Sequence, residues 1–212
     1  MSTHDVTEDA ADGVAQAVAA LRRGDLAVLP TDTVYGLAAD AFSPPAVDRL
    51  LAAKGRGRDM PVPVLVGAWR GLDGLAQHVT AEMRALVESF WPGPLTLIVR
   101  AAPSLAWDLG ETRGTVAVRM PLHPVALAVL AETGPLAVSS ANRTGQPPAA
   151  DAADAERQLG SAVAVYLDAG STGDPVPSTI VDLTGDRPVV RRAGAVDLDA
   201  LRELLPDLEV AP

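Results

Sequence analysis

The stretch 115–145, TVAVRMPLHPVALAVLAETGPLAVSSANRTG, constrains the fold most, because its hydrophobic period changes twice. Val116, Val118 and Met120 alternate with Ala117 and Arg119, the two-residue period of a strand. Pro124 suits a first helical position, the Val, Leu and Ala residues after it carry a helix, and Gly134 can close it. A second apolar run, 136–138, follows. A crossover of this length usually joins parallel strands, so Arg119 and Ser139-Ser140-Ala141-Asn142 are expected together at one carboxyl edge of a sheet. Open α/β sheets bind ligands at that edge. A guanidinium beside two hydroxyls and an amide suits an anion or a carboxylate. On these residues alone, the stretch reads equally well as a capped strand and a plain turn.

The rest of the chain supports an α/β class. It is 48% hydrophobic but 3% aromatic, so its core has to be built from Ala, Val and Leu, which suits buried strands. At 212 residues, with no low-complexity linker and no internal repeat, the chain is expected to form a single domain over 1–212. The expected core runs from about 12 to 196, between a short acidic N-terminal tail and a C-terminal helix. No apolar run approaches a membrane span, and the acidic start MSTHDVTEDAADG lacks the apolar core of a signal peptide, so a soluble cytoplasmic protein is expected. With no cysteine, neither disulfides nor thiolate chemistry is available. His4, His78 and His123 do not have metal-ligand spacing, and His123, ahead of Pro124, reads as a helix-start residue. A net charge of −10 opposes extended contact with a nucleic-acid backbone, although a local basic groove remains compatible with it.

Taken in order, the pattern predicts a helix after the acidic tail, stopping at Gly24, and a buried strand over 26–29. That strand runs into Pro30-Thr31-Asp32-Thr33-Val34-Tyr35-Gly36, where polar side chains leave a strand end before a glycine turn. Thr31 and Asp32 also suit simple turn formation. Ser43-Pro44 opens a helix that reaches Lys54. Next comes Lys54-Gly55-Arg56-Gly57-Arg58, a glycine-punctuated cationic loop that can approach a polyphosphate or simply be solvated. It lacks the pattern of a P-loop, and no G-x-G-x-x-G follows a strand. A strand over 62–66, a helix over 80–90 broken by Trp91-Pro92, and a strand over 95–99 follow. Residues 101–114 read as a surface excursion. Beyond the central unit lie a helix over 151–159, a strand over 163–167, a small-residue loop over 168–177, a hairpin turning at Gly185-Asp186, and a final helix over 198–205.

Assembled, these pieces resemble the YrdC-like family of threonylcarbamoyl-adenylate synthases. PTDTVYGLAADA, KGRGRDMPV, WPGPLTLIV, TVAVRMPLHP, SSANRTG, PSTIVD and RRAGAV occur in that family's order, covering about 26–196. Each segment alone is weak, whereas the series is very specific. The resemblance is to the single-domain form. It implies a twisted mixed α/β sheet flanked by helices, with a cationic hollow for substrates. The implied reaction joins L-threonine, bicarbonate or carbon dioxide, and ATP into threonylcarbamoyl-adenylate and pyrophosphate, with Mg²⁺ carried on ATP and no organic cofactor. The product would pass to a downstream enzyme complex that modifies tRNA, leaving room for a weak tRNA contact. Position by position, the resemblance puts Thr33, Arg119, Ser139, Ser140 and Ser178 at the threonine, and Lys54, Arg56, Thr115, Ser140, Asn142 and Arg192 at ATP. Lys54, Arg56 and Arg119 are the expected catalytic residues.

The lack of cysteine and of a Ser-His pair fits this chemistry, because the threonine amine can capture carbon dioxide without a protein nucleophile. Many family members carry Asn-Pro and then His after the basic loop, whereas this chain has Met60-Pro61 and then Leu65. Arg58 and Arg143 stand where smaller residues are common, and whether they reach ATP stays open. Two rival readings remain: an RNA-binding or ribosome-maturation module, and carbamoyl-adenylate chemistry on another amine. The shortage of aromatic stacking platforms counts against the first.

Overall fold

The computed structural model describes residues 1–173 and 176–211. Positions 174 and 175, inside the small-residue loop expected over 168–177, lie outside the described residues. The strands are β1 (Ser2–Asp5), β2 (Ala27–Leu29), β3 (Gly36–Asp40), β4 (Val64–Leu65), β5 (Leu95–Arg100), β6 (Thr115–Arg119), β7 (Leu136–Ser140), β8 (Val165–Asp168), β9 (Thr179–Asp182), β10 (Val189–Arg192) and β11 (Glu209–Val210). The helices are α1 (Ala11–Arg22), α2 (Pro44–Lys54), α3 (Gly71–Leu75), α4 (Ala81–Phe90), α5 (Pro124–Thr133), α6 (Ala152–Leu159) and α7 (Leu198–Leu204). All the strands join one mixed sheet in the order β1-β8-β2-β3-β7-β4-β6-β5-β9-β10-β11.

Alternation along the strands sorts side chains into two faces. Val28, Leu37, Val64, Leu97, Val116, Val118, Ala137 and Val181 point into one large core, which α2, α4, α6 and α7 cover. Each fully buried Val or Leu there contributes roughly 1.5–3 kcal/mol relative to exposure. Ala27, Leu29, Ala38, Leu65, Leu136 and Val138 point the other way, into a smaller core closed by Val14, Val18 and Leu21 of α1 and Val125 and Val129 of α5. This second core contains no residue of β5, β6, β9 or β10, so α1 and α5 cover only half of that face. Over the remaining strands the face is open, and there it forms the floor of a hollow.

The strand-helix-strand unit is present, but its strands do not run parallel. Strand β4 lies between β6 and β7, parallel to β6 and antiparallel to β7, so β6 and β7 are antiparallel to one another. The crossover rule applies to strands that end up parallel in a sheet. Here the direction of β7 follows from its two neighbours, β3 and β4, both of which it pairs antiparallel. Arg119 and Ser140 are therefore not at one carboxyl edge. Arg119 lies level with Leu136, four positions from Ser140, or roughly 13 Å at about 3.3 Å per residue.

Other expectations are corrected in the same way. The acidic start is no loose tail, because Ser2–Asp5 pairs parallel with β8 as β1. Gly36 is not simply a turn residue: it opens β3, paired between Leu29 and Ser140. After α7 the chain adds β11 alongside β10. Within 101–114, Leu109 is buried and its carbonyl accepts from the Val62 amide, so this segment is anchored rather than a simple surface excursion.

Candidate active site

The hollow encloses about 480 Å³ on the open half of the sheet. Its floor is apolar, with Leu65, Ile98, Ala117, Val138 and Ile180. Three guanidiniums line it, from Arg56, Arg119 and Arg192, and among the described residues no carboxylate does. In a chain of net charge −10, that local reversal of sign marks an anion site.

Each cation is placed by a different element. Arg119 is the last residue of β6 and faces the hollow with Thr115 and Ala117, because Val116 and Val118 take the core side. Its side chain is buried, with Nη1 donating to Thr33 Oγ1 at 2.8 Å and Nη2 to Asp32 Oδ1 at 2.9 Å. Burial, and secondarily Arg192, pushes its pKa down, and the Asp32 charge opposes the shift. The loop that supplies these acceptors is braced internally: Thr31 Oγ1 donates to the Val34 carbonyl at 2.6 Å and lies 3.2 Å from Thr33 Oγ1.

Arg192 ends β10 and is the most exposed of the three. Its Nε and Nη2 both reach the Ser178 carbonyl, at 3.0 and 2.8 Å, and Nη2 also reaches Ser178 Oγ at 3.0 Å. Ser178 Oγ in turn lies 2.8 Å from Thr96 Oγ1. The expected threonine residue Ser178 and the expected ATP residue Arg192 are thus bonded partners, so any two ligand sites here are contiguous.

Arg56 is placed by the end of α2. Gly55 takes the left-handed conformation (φ 62°), and the Arg56 amide returns to the Leu51 carbonyl, a closure that separates the side chains on either side of it. Arg56 points into the hollow, donating to Ser139 Oγ at 3.0 Å and to the carbonyls of Met60 and Pro61. Lys54 turns elsewhere and does not line the hollow. Its ammonium donates to the Ser140 carbonyl, to the Asn142 carbonyl at 2.7 Å and to Asn142 Oδ1 at 3.4 Å, which uses all three of its protons. Burial, with Arg56 nearby, pushes it down to about 8. Asn142 is buried too, and its amide donates to the carbonyls of Arg143 and Gln146. Lys54 and Asn142 therefore brace the turn behind Ser139 and Ser140, while Thr115 and those two serines face the hollow.

Arg58 and Arg143 do not line the hollow. Arg58 pairs with Asp48 and Asp108, and Arg143 Nε donates to the Gln158 carbonyl. Leu65, where many family members carry His, gives an apolar wall opposite Arg119 in the register. The residue that sequence reasoning undervalued is Asp32. Its signal was its place between two threonines that both proved buried. Among the described residues no group of His, Cys, Asp or Glu has metal-binding geometry. The lining donors are hydroxyls and guanidiniums, a set that fits a divalent cation only when phosphate oxygens accompany it.

Comparison with known proteins adds the following. A family model for Sua5, YciO and YrdC proteins, described as telomere recombination, matches residues 19–194. A Mycobacterium tuberculosis protein provisionally named a threonylcarbamoyl-AMP synthase is 56% identical over 198 residues, covering 93% of this chain and 91% of that protein. The threonylcarbamoyl-AMP synthase of Bacillus subtilis is 37% identical over 212 residues, covering 97% of this chain and 61% of its own. Among solved structures, that of Pyrococcus abyssi Sua5 complexed with L-threonine superposes with a TM-score of 0.94 at 32% identity, covering all of this chain and 63% of the other. The chain thus spans under two thirds of the longer relatives and nearly all of the mycobacterial one.

Proposed function

Because this chain belongs to the family of Sua5, YciO and YrdC proteins, we infer that it is a threonylcarbamoyl-AMP synthase. It joins L-threonine, bicarbonate or carbon dioxide, and ATP into threonylcarbamoyl-adenylate, releasing pyrophosphate. The observation that carries this reading is the continuity of the hollow. A buried guanidinium suited to a carboxylate, aimed by Thr33 and Asp32, shares one cavity with two more guanidiniums suited to phosphates, and among the described residues no acidic side chain lines that cavity.

In the reaction we assign, Arg119 and Thr33 hold the threonine carboxylate at one end, with Ser178 beside them. The amine captures carbon dioxide to form a carbamate. A carbamate oxygen attacks the α-phosphorus, the new O–P bond forms, and the α–β phosphoanhydride breaks with pyrophosphate leaving. Arg56, Arg192, Thr115 and the hydroxyls of Ser139 and Ser140 orient the phosphates and offset the developing charge. Lys54 and Asn142 hold the turn that presents those hydroxyls. Catalysis of this kind needs positioning and charge stabilisation rather than a protein nucleophile. Mg²⁺ would enter with the nucleotide and offset its phosphate charge, and hydroxyls lining the hollow, such as those of Ser139 and Ser140, would be the groups of this chain that could hold it beside the phosphates.

The 212 residues act, on this reading, as one YrdC-like domain. Its product feeds a tRNA-modifying partner, which places the protein in the cytoplasm; no helix among the described residues is long and apolar enough to cross a membrane. Adenylate should form only when ATP, Mg²⁺, bicarbonate and L-threonine are all supplied, as read by AMP-containing product and by ATP–pyrophosphate exchange. Exchange that proceeds equally well with no amino acid present would defeat the threonine assignment.

A further inference from the structure

Among the described residues, two buried side-chain polar atoms have no hydrogen-bond partner: Asp32 Oδ2 and His123 Nδ1. A buried orphan of this kind costs on the order of 1–3 kcal/mol, so two of them call for an explanation. They belong to one neighbourhood. Asp32 Oδ1 accepts both from Arg119 Nη2 and from the Leu122 amide, each at 2.9 Å, which leaves the second oxygen beside the segment that leads into α5. His123 is the next residue. It stands at the N-terminal cap of α5 with extended backbone (φ −145°, ψ 124°), yet its ring makes no capping bond. Capping therefore does not account for the imidazole.

We propose that Asp32 and His123 are positioning residues for Arg119. His123 carries its ring proton on Nδ1 and gives it to Asp32 Oδ2, directly after a small ring rotation or through one buried water, so that the carboxylate is held on both oxygens. The carboxylate then has one orientation, and the guanidinium bonded to it keeps its remaining N–H groups aimed into the hollow. Burial lowers the His123 pKa against the pull of the Asp32 charge, which favours a neutral ring with one N–H to give. Asp32 alone, held on one oxygen, is free to pivot about its bonds to Arg119 and Leu122; held on both, it is not. The effect on ligand binding rests on the threonine reading given above, whereas the Asp32–His123 contact does not.

The test has two arms. In ligand-free protein, ¹⁵N NMR of the imidazole should show His123 as the Nδ1–H tautomer; an Nε2–H ring with a bare Nδ1 overturns the couple. In the second arm, His123→Leu should weaken threonine binding about tenfold while ATP affinity changes less than about twofold, the loss expected when one buried hydrogen bond behind a ligand-holding group is removed. His123→Asn, whose amide N–H can stand in for Nδ1–H, should restore most of the threonine affinity. Threonine binding unchanged in His123→Leu, or threonine and ATP weakened alike with a lowered Tm and no rescue by His123→Asn, overturns the positioning role. A wild-type protein that binds no threonine would defeat the proposed function instead, and the tautomer would still decide whether the couple exists.

Discussion

Arg119 has five guanidinium protons, and the fold uses one on Thr33 and one on Asp32. Nε–H and one proton on each terminal nitrogen remain for a ligand. Arg119→Lys keeps the charge but loses the fork, and a lysine cannot serve Thr33, Asp32 and a carboxylate together. The substitution should cost ~1.5–3 kcal/mol of threonine binding, roughly tenfold to a hundredfold in affinity. ATP binding should change much less, because Arg56 and Arg192, not Arg119, are the groups assigned to the phosphates. Calorimetric titration of each ligand beside a thermal melt separates this from a fold defect, and unchanged threonine affinity in a well-folded variant would refute the assignment. At this scale the sequence is informative about which residues matter and less so about how. Arg56, Arg119 and Arg192 do line the hollow, but Lys54 spends its protons on two backbone carbonyls and Asn142 Oδ1, and Asp32 looks like a turn former until its contact with Arg119 is visible. Both differences come from pairings between residues about 90 positions apart, which no local pattern encodes.

Among elements, β6 was legible from its period of two and α1 from its helical spacing, while caps, prolines and closing glycines marked α2, α4 and α5, and short apolar runs marked β5 and β7. The polar strand β1 and the two-residue β11 carry no such repeat, whereas the strand expected over 62–66 is present as β4, between β6 and β7. What stayed hidden is where β4 pairs: its insertion between β6 and β7, parallel to one and antiparallel to the other, is a long-range pairing that no local pattern encodes. The RRAGAV segment illustrates a constraint that only packing reveals. A Cβ on Gly194 would lie 2.3 Å from the Pro177 carbonyl oxygen and 2.6 Å from the Thr179 amide nitrogen, all rigid backbone at the start of β9. Gly194→Ala must therefore push β10 and β9 apart where Arg192 holds Ser178. It should destabilise the protein by about 1–3 kcal/mol, the usual cost of overpacking, and loosen that side of the hollow. Gly36→Ala, whose Cβ would clash with one methyl of the Val138 side chain at 2.6 Å and with no backbone atom, should cost less. Urea denaturation of both variants gives the order, and a Gly194→Ala protein as stable as the parent would contradict this account of the packing.

Over the whole molecule, the sign of charge does the sorting. A net charge of −10 repels a long polyanion approaching the outer surface, while the hollow, lined by guanidiniums and, among the described residues, by no carboxylate, attracts a short one able to enter it. RNA should therefore bind weakly compared with ATP; sub-micromolar, salt-sensitive RNA binding without adenylate formation would instead favour the RNA-module reading. The same geometry makes ligands cross-links. The lining comes from the loop after β2, the end of α2, and strands β5, β6, β7, β9 and β10, so an occupant contacts both the half of the sheet packed on α1 and α5 and the half that is not. A ligand held at about one hundred times its Kd stabilises by ~2.7 kcal/mol, and for a chain of this size that corresponds to a rise in Tm of roughly 5–10 °C. ATP should produce this shift, and threonine added with it should produce a further one. Arg119→Lys should remove most of the threonine increment and leave the ATP increment in place. An equal concentration of an alcohol that matches the threonine side chain but lacks the carboxylate should give no increment, since nothing then engages the guanidinium. If that alcohol stabilises the protein as well as threonine does, recognition resides in the apolar floor and not in Arg119.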